Sequence, residues 1–342
     1  MRILITGGAG FIGSNMANML LSEGHDVIIY DNMSRPGSER NLAWLRSAHG
    51  HAAQLLRADV RDADALAEAA AGAEVLIHLA SQVAVTTSVQ NPREDFEINA
   101  LGTFNALEAA RAQPTPPIVL YASTNKVYGG MEDVPLVEEA TRYRYRDLPI
   151  GVPETQPLDL HSPYGCSKGA GDQYVRDYAR IYGLRTVVFR QSSIYGPRQF
   201  GVEDQGWLAH FVIAIQTGRP IAIYGNGKQV RDMLYVDDLV RAYLLAIERI
   251  DVAAGKIYNV GGGPDNTLSI WAETGPLLER LAGRPIHVRY GDWRPGDQPV
   301  CIMNTSKAER ELDWRPQVRV QEGAELLWNW VRDNRALFEE RG

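Results

Sequence analysis

The chain has few of the features that mark secreted, membrane or metal-binding proteins. Its 342 residues include only two cysteines, Cys166 and Cys301, which excludes a disulfide framework and favours a reducing compartment. No apolar run approaches the length of a membrane span, and a strand pattern begins at residue 2, so we expect no signal peptide and a cytoplasmic protein. The seven histidines and two cysteines show no close ligand spacing, so we expect no metal site.

Positive charge is also scarce. The net charge of −7 provides no basic field for nucleic acid or for an anionic membrane, so we expect neither as a partner. An apolar content of 45% and a charged content of 23% are ordinary for a globular enzyme. The length is enough for one large domain or two closely joined ones.

A glycine cluster near the N-terminus follows an apolar strand pattern and precedes a helical pattern. Gly7, Gly10 and Gly13 have the spacing that lets a backbone turn tightly and approach a pyrophosphate at a helix N-terminus. Asp31 ends the second predicted strand about twenty positions on, where a carboxylate can bind the adenosine ribose and would repel a 2′-phosphate. A purely structural turn is the alternative. We predict a dinucleotide site that prefers NAD(H) over NADP(H).

Tyr164 and Lys168 form a Tyr-x-x-x-Lys pattern ahead of a helical run. Residues four apart share a helix face, so the ammonium can lie close to the phenol. A nearby cation favours the phenolate, so we expect Lys168 to lower the pKa of Tyr164 from its usual value near ~10. Such a phenol could take a proton from a sugar hydroxyl while a hydride leaves the same carbon. Alone, the pattern could also be a solvated helix face.

Short apolar runs alternate with helical runs along the first half of the chain, as in βαβ units. The nearly continuous apolar character of the strands predicts a parallel sheet covered on both faces. Strands are predicted at 2–6, 27–30, 52–56, 74–80, 117–123 and 186–192, and helices at 11–23, 93–111 and 165–182.

From about residue 191, Gly- and Pro-rich turns separate shorter elements, which indicates a second, smaller lobe. We expect an NAD-binding domain over 1–190 with a return segment at 232–262, and a nucleotide-sugar-binding lobe over 191–231 and 263–342. The segment 134–160 is long for a loop, and loops of that size are more often functional than idle.

Together these motifs resemble the extended short-chain dehydrogenase/reductase family. They are the glycine cluster, Ala122-Ser123-Thr124, Val127-Tyr128-Gly129, Tyr164-x-x-x-Lys168 and Tyr195-Gly196-Pro197-Arg198. The resemblance implies a Rossmann-type doubly wound α/β fold with a smaller C-terminal substrate-binding lobe. It also implies bound NAD, a nucleotide-sugar substrate and a homo-oligomer, dimer or tetramer, formed through the helices at 93–111 and 165–182.

The same resemblance implies roles for individual residues. Thr124 would hydrogen-bond the reacting sugar oxygen, Tyr164 would be the acid/base, and Lys168 would hold the ribose and tune Tyr164. The cofactor residues would be Gly7, Gly10, Phe11, Ile12, Gly13, Asp31, Asn32, Asp59, Val60, Leu79, Ala80, Asn99, Ser123, Tyr164 and Lys168. The substrate residues would be Thr124, Asn125, Ser193, Arg231 and Arg294.

Within the family, several segments resemble the members that invert carbon 2 of a CDP-linked hexose, among them 123–129, 159–169 and 225–232. Dehydratases of the family usually have Asp-Glu after the Thr, where this chain has Asn125 and Lys126. Inversion at carbon 4 with the same triad remains an alternative. A non-enzymatic dinucleotide sensor is a second, although such a protein would not need Thr124, Tyr164 and Lys168 together.

Some of these residues also have a simpler interpretation. Lys126 could be an ordinary loop residue, and Arg231 and Arg294 could be solvated surface arginines rather than diphosphate ligands. His78 lies in an apolar run, so a hydrogen-bonded core histidine is the preferred interpretation. Cys166, between Tyr164 and Lys168, is expected to pack rather than to act as a nucleophile.

Overall fold

A seven-stranded parallel sheet forms the centre of the computed structural model, which describes residues 1–294 and 297–339. In chain order the strands are β1 (Arg2–Thr6), β2 (Asp26–Tyr30), β3 (Gln54–Leu56), β4 (Val75–His78), β5 (Ile118–Thr124), β6 (Leu136–Glu138), β7 (Tyr143–Tyr145), β8 (Thr186–Gln191), β9 (Ser193–Tyr195), β10 (Ala222–Tyr224), β11 (Val230–Tyr235), β12 (Lys256–Val260), β13 (Thr267–Ser269), β14 (Arg289–Gly291) and β15 (Val300–Cys301).

Helices connect and cover these strands. In chain order they are α1 (Phe11–Ser22), α2 (Ser38–His49), α3 (Ala63–Ala69), α4 (Val85–Gln90), α5 (Pro92–Phe96), α6 (Gly102–Arg111), α7 (Ser162–Tyr182), α8 (Trp207–Thr217), α9 (Val236–Glu248), α10 (Ile250–Ala253), α11 (Thr274–Ala282), α12 (Ser306–Leu312) and α13 (Val320–Asp333). A π-helical turn, Glu97–Leu101, joins α5 to α6, and 3₁₀ turns occur at Gly50–Ala52, Asn125–Tyr128 and Arg335–Leu337.

The order of the central sheet is β12-β8-β5-β4-β1-β2-β3. From β1 the chain first builds outward through β2 and β3, then returns and builds the other way from β4. This reversal between β1 and β4 is the switch point at which doubly wound sheets bind ligands. The predicted Rossmann-type α/β fold is confirmed.

Both faces of this sheet are buried, which explains the nearly continuous apolar strands. Successive residues of β1 point to opposite faces, so Ile3 and Ile5 pack in one core with residues of α1 and α9. Leu4 points into the other core, which includes residues of α3, α6 and α7 such as Leu66 and Val175.

Two of the predicted helices differ from their expected bounds. The run at 93–111 is interrupted by the π-helical turn, which adds one residue to the helical repeat and shifts the buried face. Helix α7 begins three residues before its predicted start of 165, because Pro163 is well tolerated in a first helical turn, where its missing N–H is not needed. The helix ends at Gly183, whose φ of +68° suits a left-handed cap.

A second sheet lies in the C-terminal half, with β11 at its centre. Strands β9 and β15 pair parallel to β11, and β13 pairs antiparallel to it. Side chains from α8, α11 and α13 form the core beneath, among them Val212, Leu278 and Leu327. Because β11 spans residues 231 and 232, it crosses the expected lobe boundary, whereas β12 joins the central sheet at its edge. Residues 295–296 and 340–342 of the expected lobe lie outside the described residues.

The long segment at 134–160 contains a hairpin, β6 and β7, that was not predicted because its strands are only three residues long. Tyr143 donates its N–H to the Lys228 carbonyl over 3.0 Å, and Val152 bridges to Met303. Tyr145 packs in a small core with Val300. The segment therefore joins the N-terminal half to the second lobe.

One buried ion pair connects helix α7 to the central sheet. Asp172 is 0% exposed and Arg190, on β8, is 2% exposed. Two guanidinium nitrogens of Arg190 donate to the two carboxylate oxygens, each over 2.9 Å. Ser123 and Gln173 donate to the same carboxylate over 2.7 and 2.8 Å. Burial of two charges is favourable only with such complete hydrogen bonding.

Substitution Asp172→Asn should therefore destabilise the protein by about 3 kcal/mol or more, because it leaves the Arg190 charge buried without its counter-ion. The free energy of unfolding, measured in urea at one protein concentration and with saturating cofactor, tests this. Asp177→Asn is the control, since Asp177 lies on the same helix in an exposed pair with Arg180. It should cost less than about 1 kcal/mol. Equal losses for the two variants would contradict the importance of the buried pair.

Candidate active site

The turn after β1 brings backbone rather than side chains against the neighbouring cavity. Gly7 has a φ of +70°, which glycine adopts without strain, and its N–H donates to the Tyr30 carbonyl over 2.8 Å. A Cβ atom at Gly7 would lie 2.8 Å from the Ala80 backbone nitrogen, so a side chain there would clash. Helix α1 follows with Gly10 as N-cap and no side-chain cap, so its first N–H groups remain available to an anion.

A cavity of about 420 Å³ lies beside this turn, at the carboxyl ends of the central strands. This size falls in the range of small-molecule sites. Its lining contains the residues predicted to hold the cofactor, apart from Asn99: Gly7, Gly10, Phe11, Ile12, Gly13, Asp31, Asn32, Asp59, Val60, Leu79, Ala80, Ser123, Tyr164 and Lys168. A helix N-terminus, a carboxylate at the end of β2 and apolar walls together fit a dinucleotide.

Asp31 is buried at the end of β2, where its carboxylate accepts hydrogen bonds from the N–H groups of Ala9 over 3.0 Å and Met33 over 2.8 Å. Burial raises the pKa of Asp31, and these backbone bonds oppose that rise. A carboxylate has about four acceptor positions, so it can still accept bonds from a ribose. The geometry is therefore compatible with the predicted role of Asp31, because its carboxylate retains acceptor positions for a cofactor hydroxyl.

Asn32 and Asp59 lie side by side at the same end of the cavity. Asn32 donates its amide to the Asp59 carboxylate over 2.8 Å, and Arg61 donates to that carboxylate through its side chain. The hydrogen bond from Arg61 lowers the pKa of Asp59 to about 2. Asp59 therefore stays ionised, with fixed orientation, over the whole physiological range.

Asn99 does not line the cavity but lies one layer behind it. Its side chain accepts from the Gln82 N–H over 2.9 Å and from the Ser81 hydroxyl over 2.8 Å, and donates to Asp95 over 3.1 Å. Ser81 and Gln82 do line the cavity. Sequence reasoning did not identify them, because neither forms part of a local motif. Asn99 is placed to hold these two residues in position.

Tyr164 and Lys168 both line the cavity, but their charges differ from the prediction. The pKa of Tyr164 is raised to about 12, because burial penalises the phenolate and only the neighbouring Thr124 side chain opposes the rise. Burial also lowers the pKa of Lys168 to about 7. Its ammonium lies 4.4 Å from the centre of the Tyr121 ring and interacts with Asp172 and Asp95. The pKa of Tyr164 is thus raised rather than lowered, and Lys168 is not among the groups that oppose the rise, contrary to the expectation from the Tyr-x-x-x-Lys spacing.

Thr124 is the last residue of β5 and is buried next to the cavity. Its hydroxyl accepts from the Lys126 N–H over 3.2 Å, which caps the following 3₁₀ turn. The same side chain is close enough to Tyr164 to act on the phenol. Thr124, Tyr164 and Lys168 are thus brought together by β5 and α7.

Asn125 and Lys126 face the second lobe. Asn125 donates to the Cys301 sulfur over 2.7 Å, and Lys126 donates to the Gln298 side chain over 3.4 Å. Burial lowers the pKa of the Lys126 ammonium, and the nearby Arg231 lowers it further. Lys126 is therefore not a solvated loop residue. Cys301 and Gln298 were not predicted, because they lie far along the chain from the catalytic motifs.

Arg231 and Arg294 both lie in the second lobe, outside the lining of the dinucleotide cavity. Arg231 is buried on β11 and pairs with Asp297 over 2.6 Å. Arg294 pairs with Glu203 over 3.0 Å and with Asp204 over 3.2 Å. Its guanidinium also stacks 4.0 Å from the centre of the Tyr224 ring. Neither is an isolated surface arginine.

Ser193 is the first residue of β9, where it lies opposite Met233 of β11. It is partly buried at the junction between the central sheet and the second sheet.

Further cavity residues were not predicted, and two of them are cationic. Arg35 donates to Gln205 over 2.9 Å, and burial lowers its pKa. Arg198 has a φ of +69° and lies 4.1 Å from the centre of the Trp44 ring. Arg198 stands in the Tyr-Gly-Pro-Arg motif, so the sequence contained a signal for it.

The remaining candidates have structural roles. His78 is buried and hydrogen-bonded to Thr6 and Thr103, so the prediction of a hydrogen-bonded core histidine is confirmed, and burial lowers its pKa to about 3. In residues 1–294 and 297–339, no group of three or more His, Cys, Asp or Glu side chains is arranged to hold a metal ion.

Of the helices in this part of the chain, none combines the length and the apolar character needed to cross a membrane.

Comparison with known proteins places the chain in a family. The model of the NAD dependent epimerase/dehydratase family matches residues 3–261. The chain is 43% identical to a CDP-paratose 2-epimerase of Salmonella typhi over 97% of its own length and 99% of that protein.

Two solved structures superpose over nearly the whole chain. The UDP-glucose 4-epimerase of Thermotoga maritima, with UDP-glucose, is 31% identical with a TM-score of 0.84, covering 98% of this chain and 99% of that one. The dTDP-glucose 4,6-dehydratase DesIV of Streptomyces venezuelae, with NAD and TYD bound, is 31% identical with a TM-score of 0.84, covering 99% of each chain. This protein belongs to the NAD dependent epimerase/dehydratase family, and its cofactor is NAD.

Proposed function

We propose that this protein inverts carbon 2 of a CDP-linked hexose by transient oxidation to a 2-keto sugar and re-reduction from the other face. The observation that carries the proposal is the meeting of Thr124, Tyr164 and Lys168 beside the NAD cavity. The choice of carbon 2 and of CDP rests on the 43% identity to a CDP-paratose 2-epimerase. Oxidation followed by reduction leaves no net redox change.

Tyr164 is the proposed acid/base. Bound NAD supplies the hydride acceptor and the returning hydride, and its positive charge favours the phenolate. Tyr164 takes the proton from the sugar 2-hydroxyl as the carbon–hydrogen bond breaks, and it returns a proton to the same oxygen in the second half-reaction. Burial raises the pKa of Tyr164 to about 12 and keeps the phenol neutral, so the charge of the bound cofactor and the Thr124 hydrogen bond would have to oppose burial for Tyr164 to accept the proton.

Thr124 and Lys168 support this proton transfer. The Thr124 hydroxyl, next to the phenol, is placed to hydrogen-bond the reacting oxygen and hold it in line with Tyr164. Lys168 is proposed to bind the cofactor ribose. Burial lowers the pKa of Lys168 to about 7, and the carboxylates of Asp172 and Asp95 oppose this fall and favour the ammonium form that would bind the ribose.

The second lobe is proposed to bind the sugar nucleotide. Arg231 and Arg294 would hold the diphosphate by charge-assisted hydrogen bonds, and Asn125 and Ser193 would contact the sugar. Glu203 and Asp204 now pair with Arg294, so a diphosphate would replace these carboxylates.

Epimerisation is favoured over elimination of water. An eliminating enzyme needs an acid and a base next to the sugar, and Asn125 and Lys126 do not form such a pair. The amide cannot ionise, and Lys126 is engaged with Gln298. Inversion at carbon 4 is the alternative, because the triad is equally suited to it and the UDP-glucose 4-epimerase of Thermotoga maritima is 31% identical.

The substitution Tyr164→Phe tests the acid/base. It removes only the hydroxyl, so turnover of a CDP-hexose should fall by about 100- to 10,000-fold while NAD stays bound. Tyr290→Phe is the control, since Tyr290 is an exposed residue of β14 outside the NAD cavity and outside α6 and α7, and its loss should leave turnover unchanged. Near-normal turnover by the Tyr164 variant would place the base elsewhere.

Isotope labelling tests the mechanism and the carbon together. With a CDP-hexose deuterated at carbon 2, the label should remain on carbon 2 of the product, because the hydride leaves and returns within one bound complex. With unlabelled substrate in D₂O, NMR should show no deuterium at the inverted carbon. Solvent deuterium there would refute the hydride route. UDP-hexoses should be assayed in parallel with the CDP-hexose. Inversion at carbon 4 of any of these substrates would refute the proposed specificity for carbon 2 but not the role of the triad.

We also propose that two copies of the chain associate through α6 and α7. These helices, the end of α5 and the π-helical turn before α6 expose large apolar side chains, namely Phe96, Leu101, Phe104, Tyr174, Ile181 and Tyr182. Exposed apolar patches of this kind mark protein–protein contacts. Self-association would bury the patch.

Ile181→Glu should therefore convert the protein to a monomer, because it buries a charge in the proposed contact. Light scattering coupled to size-exclusion chromatography measures the mass. Val252→Glu is the control, since Val252 is also an exposed apolar residue but lies on α10. A wild-type monomer, or an oligomer that survives Ile181→Glu, would contradict this contact.

A further inference from the structure

A second cavity of about 920 Å³ lies beyond the edge strand β12. Its walls come from β12, from α7 and α12, and from the segment 153–158. None of the residues described as lining it also lines the NAD cavity.

The lining is strongly basic, although the chain as a whole carries a net charge of −7. Its cationic side chains are Arg176, Arg190, Lys256, Lys307 and Arg310, and its carboxylates are Glu154 and Glu311. Glu311 is already engaged, because Lys256 pairs with it over 2.9 Å and Tyr258 donates to it over 2.8 Å. Arg190 is paired with Asp172 over 2.9 Å.

Three of the cations are left without a counter-ion. Arg176, Lys307 and Arg310 have no carboxylate within ion-pair distance in the described part of the chain. Lys307 is partly buried and donates to the Ile257 carbonyl over 2.7 Å. Burial lowers the pKa of Lys307, and the charges of Lys256 and Arg176 lower it further, whereas Glu154 and Glu311 oppose this. The positive groups are therefore close enough to repel one another.

The arrangement differs from a solvated basic surface. Lys307 and Arg310 project from the same face of α12, three residues apart, and Arg176 approaches them from a different helix, α7. Side chains with neutral donors, Gln156 and Ser306, also line the cavity. Convergent unpaired cations with neutral donors form the usual surroundings of a bound phosphate.

We propose that this cavity is a second ligand site that binds a small molecule through a phosphate or diphosphate group. Arg176 and Arg310 have the planar donors that suit two phosphate oxygens at once, and Lys307 contributes a point charge from the floor of the cavity. Glu154 and Glu311 compensate part of the charge around Lys307, and a bound anion would add to this by opposing the charges of Lys256 and Arg176. The volume is large enough for a nucleotide or a sugar phosphate.

Titration of the NAD-bound protein with inorganic pyrophosphate, at physiological salt and followed by calorimetry, tests the site. Binding should be saturable, and Arg176→Gln/Lys307→Gln should weaken it by at least about tenfold. Arg310→Gln alone, an exposed position, should weaken it in the same direction. Arg180→Gln/Arg335→Gln is the control, because it removes the same charge from exposed ion pairs elsewhere and should have no effect.

Three results would overturn the proposal. The first is the absence of saturable binding below about 10 mM. The second is equal weakening by the control variant, which would show only a general effect of charge. The third is binding that survives Arg176→Gln/Lys307→Gln but is lost in Arg294→Gln, which would place the pyrophosphate with the sugar-nucleotide arginines. Far-UV circular dichroism of each variant checks that it is folded.

Discussion

The buried ion pair between Asp172 and Arg190 determines how helix α7 sits on the sheet. Tyr164, Lys168 and Asp172 are four residues apart on α7, so they share one helix face. By fixing Asp172 to β8, the pair turns that face toward the carboxyl ends of the strands. Ser123, which lines the NAD cavity, donates to the same carboxylate. The position of Tyr164, the proposed acid/base, therefore depends on the Asp172–Arg190 pair, which takes no part in the proposed reaction.

Burial, more than neighbouring charge, sets the electrostatics of this face. It raises the pKa of Tyr164 and lowers that of Lys168, so burial shifts both groups toward their neutral forms. The carboxylates of Asp95 and Asp172 partly restore the charge of Lys168. A site of this kind changes its protonation strongly when a charged ligand enters, because a low dielectric increases every charge–charge interaction.

The turn at 202–205 connects the two halves of the proposed site. Val202 and Gln205 bond to each other's backbone, which places Glu203 and Asp204 at the tip. Asp204 accepts from Thr86 over 2.9 Å on the NAD side and pairs with Arg294 on the lobe side. A sugar nucleotide that competes for Arg294 would also loosen the contact with Thr86. Asp204 thus links the two halves of the proposed site, and the proposed substrate can compete with it for Arg294.

Local chain geometry made much of this protein predictable. The glycine turn, the carboxylate at the end of β2 and the spacing of Tyr164 and Lys168 each depend on residues close in sequence, so short-range rules were sufficient. The parallel sheet followed from apolar strands that alternate with helices. The hairpin formed by β6 and β7 was missed, because strands of three residues show too little periodicity to detect.

Contacts between distant segments could be decided only by the tertiary structure. Asn99 lies behind the cavity rather than in its wall, because its partners come from a different loop and helix. Lys168 lies against Tyr121 rather than controlling Tyr164, since packing of α7 on the sheet sets its direction. Asn125 meets Cys301, and Arg294 meets Glu203, across long stretches of chain. Sequence spacing carries no information about such pairs, because their distance depends on how whole elements pack.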